Sequence, residues 1–391
     1  MLTIRPGKKQ GSVFAGLMTK ENSMLRLRNW KHAAGMAALV LTFLLLAASN
    51  GLAQHYQRTD LTTDNATVSP TAPNVDPNLV NPWGMARSSG SPWWISDNGT
   101  GLSTLYDSTG LPKPLVVTIP APNGQPGGTP TGTVFNYTGA FDVGPGQSAF
   151  FLFATEDGTI SGWNPGANPT AAIIKVNRAG SAIYKGLALA TLPSGAPRLY
   201  ATNFQSGEVE VFDRKFHRLG LSGIFLDANL PPNYAPFGIQ NVGGNIVVTF
   251  AHRKPGSHDE DHGPGLGYVD VFDVFGNLLL RLPHRFLNAP WGIALAPGDF
   301  GPFSHRLLIG NFGDGLIHAF NAVSGKLEGT LLDSTGAPLT IGGLWALSFG
   351  GDNLNSGLGN QLFFTAGAND ETDGIYGMIT PTSTEQRGNS E

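Results

Sequence analysis

Residues 81–86 read NPWGMA and residues 289–294 read APWGIA. The same Pro-Trp-Gly, followed by an apolar residue and alanine, stands 208 residues apart, which is four times 52. A repeat of that period calls for a search for the copies between. Gly84, Gly132 (PTGTVF), Gly186 (YKGLALA), Gly238 (APFGIQ) and Gly292 form such a series, and Leu344 in GGLWAL extends it, with steps of 48, 54, 52, 54 and 52.

A second landmark follows each of these: an apolar run closing in a polar or glycine-rich turn. The copies are WWISDNG from 93, FLFATEDG from 151, LYATNFQSG from 199, IVVTFAHRK from 246, LLIGNFGDG from 307 and LFFTAGAND from 362. A third is a short alternating strand, as in VEVFD and VDVFD, where Val209/Val211 and Val269/Val271 share a face at period two. Six units of about 50 residues built from short strands predict an all-β chain, a six-bladed β-propeller of four-stranded antiparallel blades. Pro-Trp-Gly then opens the innermost strand of blades 1 and 5. Proline sets the residue before it extended, and glycine lets neighbouring strands approach. Unit 6 ends after its third strand, so residues 55–63, HYQRTDLTT, are expected to supply its outer strand and close the ring, leaving no unprotected edge.

The expected domains are a signal peptide over 1–53, the propeller over 54–381 and a polar tail over 382–391. The leader carries Arg26, Arg28 and Lys31, then the apolar run AAGMAALVLTFLLLAA, then Gly51 and Ala53 as small residues at the cleavage site. The apolar run is shorter than the ~20 residues that span a bilayer. Export to the periplasm or the extracellular space is the expectation. The 338 residues after Ala53 hold 17 Lys+Arg against 27 Asp+Glu, a formal charge of −10. That balance disfavours nucleic acid and anionic lipid as partners. With no cysteine, disulfides and thiolate metal sites are excluded, and a monomer stabilised by core packing is expected.

The motifs LVNPWG, WWISDNGTG, GNFGDGLIHAFN and TAGANDETDGIYG, in that order after a signal peptide, resemble those of a family of exported bacterial six-bladed propellers. More distantly the chain is similar to NHL-repeat and gluconolactonase-type propellers. That resemblance implies a metal-dependent hydrolase or lactonase acting at the axis, although Asn81-Pro82-Trp83 stands where those enzymes carry a glutamate.

Loops into the first strand and turns after the second emerge on one propeller face. That face is expected to gather Trp83, Asp97, Asn98, Glu156, Asn203, Trp291, Asn311, Trp345 and Asn369. Amides and carboxylates beside aromatic rings suit an oxygen-rich ligand, such as a glycan stacking on tryptophan. Asp97, Glu156, Asn203 and Asn311, one from each of four blades, would be the ligands of Ca²⁺ or another divalent cation. Asn and Asp are also ordinary turn residues. The loop HRKPGSHDEDHGPG places His252, His258 and His262 among carboxylates, a separate candidate for a first-row metal. In NDETDG, Asn369, Glu371 and Asp373 alternate before Gly374 in a calcium-loop manner, without the closing glutamate. G-x-S-x-G, H-E-x-x-H, the P-loop and the dinucleotide fingerprint are absent from the sequence. The leading expectation is a binding propeller, with the metal-dependent hydrolase as the alternative.

Overall fold

The computed structural model describes residues 55–221 and 223–382. The expected signal peptide, and the tail beyond Thr382, lie outside the described residues. Six sheets stand around one axis. Their innermost strands are Pro82–Ala86, Pro130–Phe135, Tyr184–Thr191, Tyr234–Val242, Pro290–Leu295 and Leu344–Phe349. Each pairs antiparallel with the next strand outward. Both faces of a blade are covered by its neighbours, so Trp93 and Trp94, on opposite faces of blade 1, are both buried.

Glycine recurs in the inner strands because they meet there. A Cβ on Gly84 would lie 2.5 Å from the Thr131 carbonyl oxygen of blade 2; on Gly186, 2.9 Å from that of Phe237; on Gly292, 2.6 Å from that of Trp345. Threonine hydroxyls bind the blades together at the same level: Thr131 Oγ1 donates to Tyr184 O (2.8 Å), Thr202 Oγ1 to Phe237 O (2.7 Å) and Thr365 Oγ1 to Trp83 O (2.5 Å).

Strand Tyr56–Thr63 pairs antiparallel with Asp373–Pro381, from Tyr56 opposite Pro381 to Thr63 opposite Ile375, and so forms the outer strand of blade 6. Tyr56 is buried between Phe300 and Phe303 and donates to Phe300 O at 3.0 Å.

Three expectations are corrected. Blade 3 has three strands rather than four. After Phe212 the chain turns, and Leu219 N donates to Val211 O. Beyond Leu219 the chain leaves the sheet, since its glycines and Pro231-Pro232 support no ladder. The small residue matching Gly84 in blade 6 is Ala346, not Leu344. Leu344 pairs with Ala366 as Pro82 pairs with Asp97, which puts Ala346 two residues on in the place of Gly84. Finally, Asn81 and Ala289, before the two prolines, are left-handed (φ 47° and 43°) rather than extended. The chain turns sharply there to enter the axis.

Candidate functional site

The residue preceding each landmark position faces the axis. In blade order these are Trp83, Thr131, Lys185, Phe237, Trp291 and Trp345, all buried. Trp83 and Trp345 stack with centroids 3.6 Å apart, and Phe312 stacks on Trp345 at 4.2 Å. Trp291 meets Trp83 edge-on at 6.2 Å. Lys185 is the one cation in this ring. Its Nζ lies 5.0 Å from the Trp83 ring centre and 5.6 Å from that of Phe204, within cation–π range. Trp291 Nε1 donates to Lys185 O at 3.0 Å, fixing the strand that carries it.

Three glutamates close over the ring from turns of blades 2, 4 and 6. Lys185 Nζ donates to Glu156 Oε1 at 2.7 Å and stands 3.7 Å from Glu260 Oε2. Asn98 Nδ2 donates to Glu156 Oε2 at 2.9 Å. Asn81 Nδ2 donates to Glu371 Oε2 (2.8 Å), and Asn81 Oδ1 accepts from Trp345 Nε1 (3.1 Å). Glu260 arrives on a short hairpin in which it pairs with Arg253, and Asp261 with His252. Glu371 arrives on a turn in which Asn369, Asp370 and Glu371 are all left-handed, with φ of 49°, 51° and 67°. Three such non-glycine residues in succession cost about 1–2 kcal/mol each, and strain of this kind concentrates at functional sites. Hydrogen bonds from Asn369 Nδ2 to Asp373 and from Thr372 Oγ1 to Asn369 O hold the turn.

Burial opposes the Lys185 charge, but Glu156 and Glu260 outweigh it and raise the ammonium above its ordinary value. Burial raises the Glu260 carboxyl against the pull of Lys185. For Glu371, burial joined by repulsion from Glu260 and Glu156 outweighs the Asn81 hydrogen bond and the Lys185 charge, and pushes the carboxyl up to about 7. Two buried polar atoms here have no hydrogen-bond partner: the donor Trp83 Nε1 and the acceptor Glu260 Oε2.

Of the residues named from sequence, Trp83, Asn98, Glu156, Trp291 and Trp345 meet at this site. Asp97, Asn203 and Asn311 end the second strands of blades 1, 3 and 5 and are fully buried within them. Asp97 Oδ2 accepts from Thr104 N (3.1 Å) and Thr104 Oγ1 (2.7 Å), and burial raises its pKa. Asn203 accepts from Ile183 N and Gln205 N and donates to Glu210. Asn311 accepts from Asn288 N and donates to Phe286 O. Asn369 is exposed and braces its own turn. His252 lies against Tyr234, His258 is exposed, and His262 is exposed with its ring edge-on to Phe312. Among the described residues, no group of three or more His, Asp or Glu side chains is arranged to hold a metal ion. Sequence reasoning did not place Lys185, Glu260 or Asn81 at this site, and it gave Glu371 only to a separate calcium-loop pattern. Lys185 was detectable: YKG occupies the repeat position of PWG.

No protein-family model matches the chain. Two uncharacterised proteins of Acanthamoeba polyphaga mimivirus are similar to it. R648 is 33% identical over 321 residues, 79% of this chain and 76% of that protein. L690 is 32% identical over 324 residues, 79% of this chain and 82% of that protein. Among solved structures, a Bacteroides thetaiotaomicron protein of unknown function matches with a TM-score of 0.50 and 11% identity, over 83% of this chain and 72% of that one. A gluconolactonase of Xanthomonas campestris matches with a TM-score of 0.40 and 17% identity, over 73% and 91%. These structural likenesses are of fold alone.

Proposed function

The chain belongs to one family with the mimivirus proteins R648 and L690, and we propose that it is an exported propeller that binds an oxygen-rich, carbohydrate-like ligand at the axial face. The carrying observation is that two buried polar atoms around Lys185 make no hydrogen bond: the donor Trp83 Nε1, and the acceptor Glu260 Oε2, whose contact there is the 3.7 Å ion pair with Lys185. Buried polar groups in folded proteins are almost always paired. A hydroxyl both accepts and donates, so the hydroxyls of a carbohydrate suit a donor and an acceptor alike. Lys185 supports the reading, since its ammonium has three donors and Glu156 takes one at hydrogen-bond distance. So does the energetics. Buried ion clusters are often neutral or unfavourable next to apolar packing, so the fold has no need of three glutamates and a lysine over a tryptophan ring. Asn98, Trp291 and Trp345 complete the proposed site. Residues 1–53, with their basic, apolar and small-residue order, support export to the periplasm or beyond.

A metal-dependent hydrolase or lactonase at the same face is the second reading. Glu371 favours it, because a carboxyl held near 7 is poised for general acid–base work. In that reading Glu156 and its neighbouring carboxylates would hold Ca²⁺ or another divalent cation.

The test is titration calorimetry of the mature protein against a panel of soluble mono- and oligosaccharides, with and without chelator. Trp83→Phe keeps a ring and removes the orphan donor, while Glu260→Gln blunts the orphan acceptor. Each should weaken binding about tenfold or more, in line with about 1.4 kcal/mol for a hydrogen bond made in a buried site. A panel without a binder, or a binder indifferent to both changes, would refute the carbohydrate reading. A chelated protein whose melting temperature ignores millimolar Ca²⁺ would remove the metal-dependent one.

A further inference from the structure

We propose that the opposite mouth of the axis is a second binding site, for a small organic anion consisting of a carboxylate on a flat apolar body. This inference is independent of the reading given above, because the two ends of the axis are separate. Below the aromatic ring the axial channel narrows to about 30 Å³, room for about one water, beside Gly84, Gly132 and Trp291. It then opens into a cavity of about 310 Å³ on the far face. That volume lies at the lower edge of the ~300–1,000 Å³ typical of small-molecule pockets, so the occupant is a compact molecule.

The walls come from five blades and include Phe135, Tyr137, Leu189, Gln240, Ser348 and Arg87. Phe135, Tyr137 and Leu189 supply apolar surface, and Tyr137 is 55% exposed at the mouth. Gln240 and Ser348 make no side-chain hydrogen bond among the described residues, so an amide and a hydroxyl stand free to meet a ligand.

Arg87 is the only charged residue among those that line the cavity. It is anchored: Nε and Nη2 donate to Phe349 O (3.1 and 3.0 Å), Nη2 also donates to Gly350 O (2.7 Å), and its Cζ lies 5.4 Å from the Trp93 ring centre. Its Nη1 reaches only Ser88 O, at 3.5 Å. Among the described residues no carboxylate comes within 4.0 Å of this guanidinium. Asp352 is the acidic group whose field reaches it, and that side chain is exposed and accepts from Gly359 N. Burial works against the charge on Arg87. A rigid, partly desolvated guanidinium without an ion-pair partner, at the edge of a cavity with no acidic lining, matches a carboxylate. The glutamate-lined end of the axis would repel the same ligand.

The probe is benzoate, with benzamide as its neutral isostere, titrated calorimetrically into the intact protein. Benzoate should bind saturably at one site, and benzamide at least about tenfold more weakly, because a charge-assisted bond is worth about 1.5–3 kcal/mol. Arg87→Gln should abolish that preference. Ser348→Trp, which fills the mouth and leaves Arg87 in place, should abolish binding of both. If Arg87→Gln fails to fold, the Ser348→Trp variant and the benzamide comparison still decide. Absence of saturable benzoate binding overturns the proposal, as does equal affinity for benzamide or binding that Ser348→Trp leaves intact.

Discussion

Lys185→Met tests the axial site at its centre. The lysine side chain is 1% exposed, its ion pair with Glu156 is 2.7 Å long, and Glu260, 5% exposed, leans on the same cation from 3.7 Å. Methionine, one atom shorter, keeps an unbranched apolar stem beside Trp83 and Phe204 but removes the charge. Breaking a buried ion pair by deleting one partner costs about 3–5 kcal/mol, and the lost cation–π contact adds to it. The upper half of that range is expected, because two carboxylates lose one counter-charge. The deficit has a pH signature. Without Lys185 the Glu260 carboxyl loses the charge that opposes its upward, burial-driven shift, so its protonated form favours the folded state. That contribution is present at low pH and is lost as pH rises through the folded value. The deficit should therefore be largest near pH 8 and shrink towards pH 5. Adding Glu156→Gln and Glu260→Gln to Lys185→Met removes the uncompensated charges and should recover most of the loss at pH 8. Urea unfolding followed by tryptophan fluorescence reads all of this, since Trp83, Trp291 and Trp345 form the surrounding ring. A single variant within about 0.5 kcal/mol of the parent at pH 8, the range of an indifferent surface change, would refute the reasoning. So would a triple variant less stable than the single one.

Glu371→Gln should leave stability unchanged at pH 4 and raise it above pH 7. The folded carboxyl titrates at about 7 against 4.5 ordinarily, so its protonated-state contribution is present below 4.5 and lost as pH passes 7. At 1.36 kcal/mol per pH unit the gap corresponds to about 3 kcal/mol, which solvent at this half-buried group reduces to about 2; a melting-temperature profile parallel to the parent's from pH 4 to 8 would contradict it. Gly292→Ala should cost about 2–3 kcal/mol by chemical denaturation, since its Cβ would meet Trp345 O at 2.6 Å and Leu347 Cγ at 2.9 Å. Gly90→Ala, with open space around its Cβ, should stay within about 0.5 kcal/mol, and equal effects at the two glycines would sink the close-approach account.

The six-fold repeat was legible because each copy answers the same local demand. Every inner strand meets its neighbour at the same radius, so a small residue recurs about every 52 positions, and every second strand ends in a turn that polar residues favour. The aromatic members of the axial ring were legible for the same reason, through Pro-Trp-Gly. The division of labour among the turn residues was not. Asp97, Asn203 and Asn311 carry short side chains that reach groups of their own blade. Glu156, one methylene longer, reaches Lys185. Glu260 and Glu371 gain their positions from backbone geometry, a hairpin in one case and three left-handed residues in the other. In the sequence these residues read as carboxylates of two separate loops, each a metal candidate of its own, and not as partners of one site. The three strands of blade 3 likewise depend on where a glycine-broken segment leaves the sheet.

By itself, then, the sequence determined the architecture, because period, glycine spacing and turn chemistry are local and repeat. Only the tertiary structure decided the site. A lysine and three glutamates drawn from four blades become neighbours when the ring closes, and closure depends on residues 56–63 pairing with residues 373–381 at the far end of the chain. Their charges interact strongly because aromatic rings exclude water from the place where they meet, and no local pattern encodes that environment.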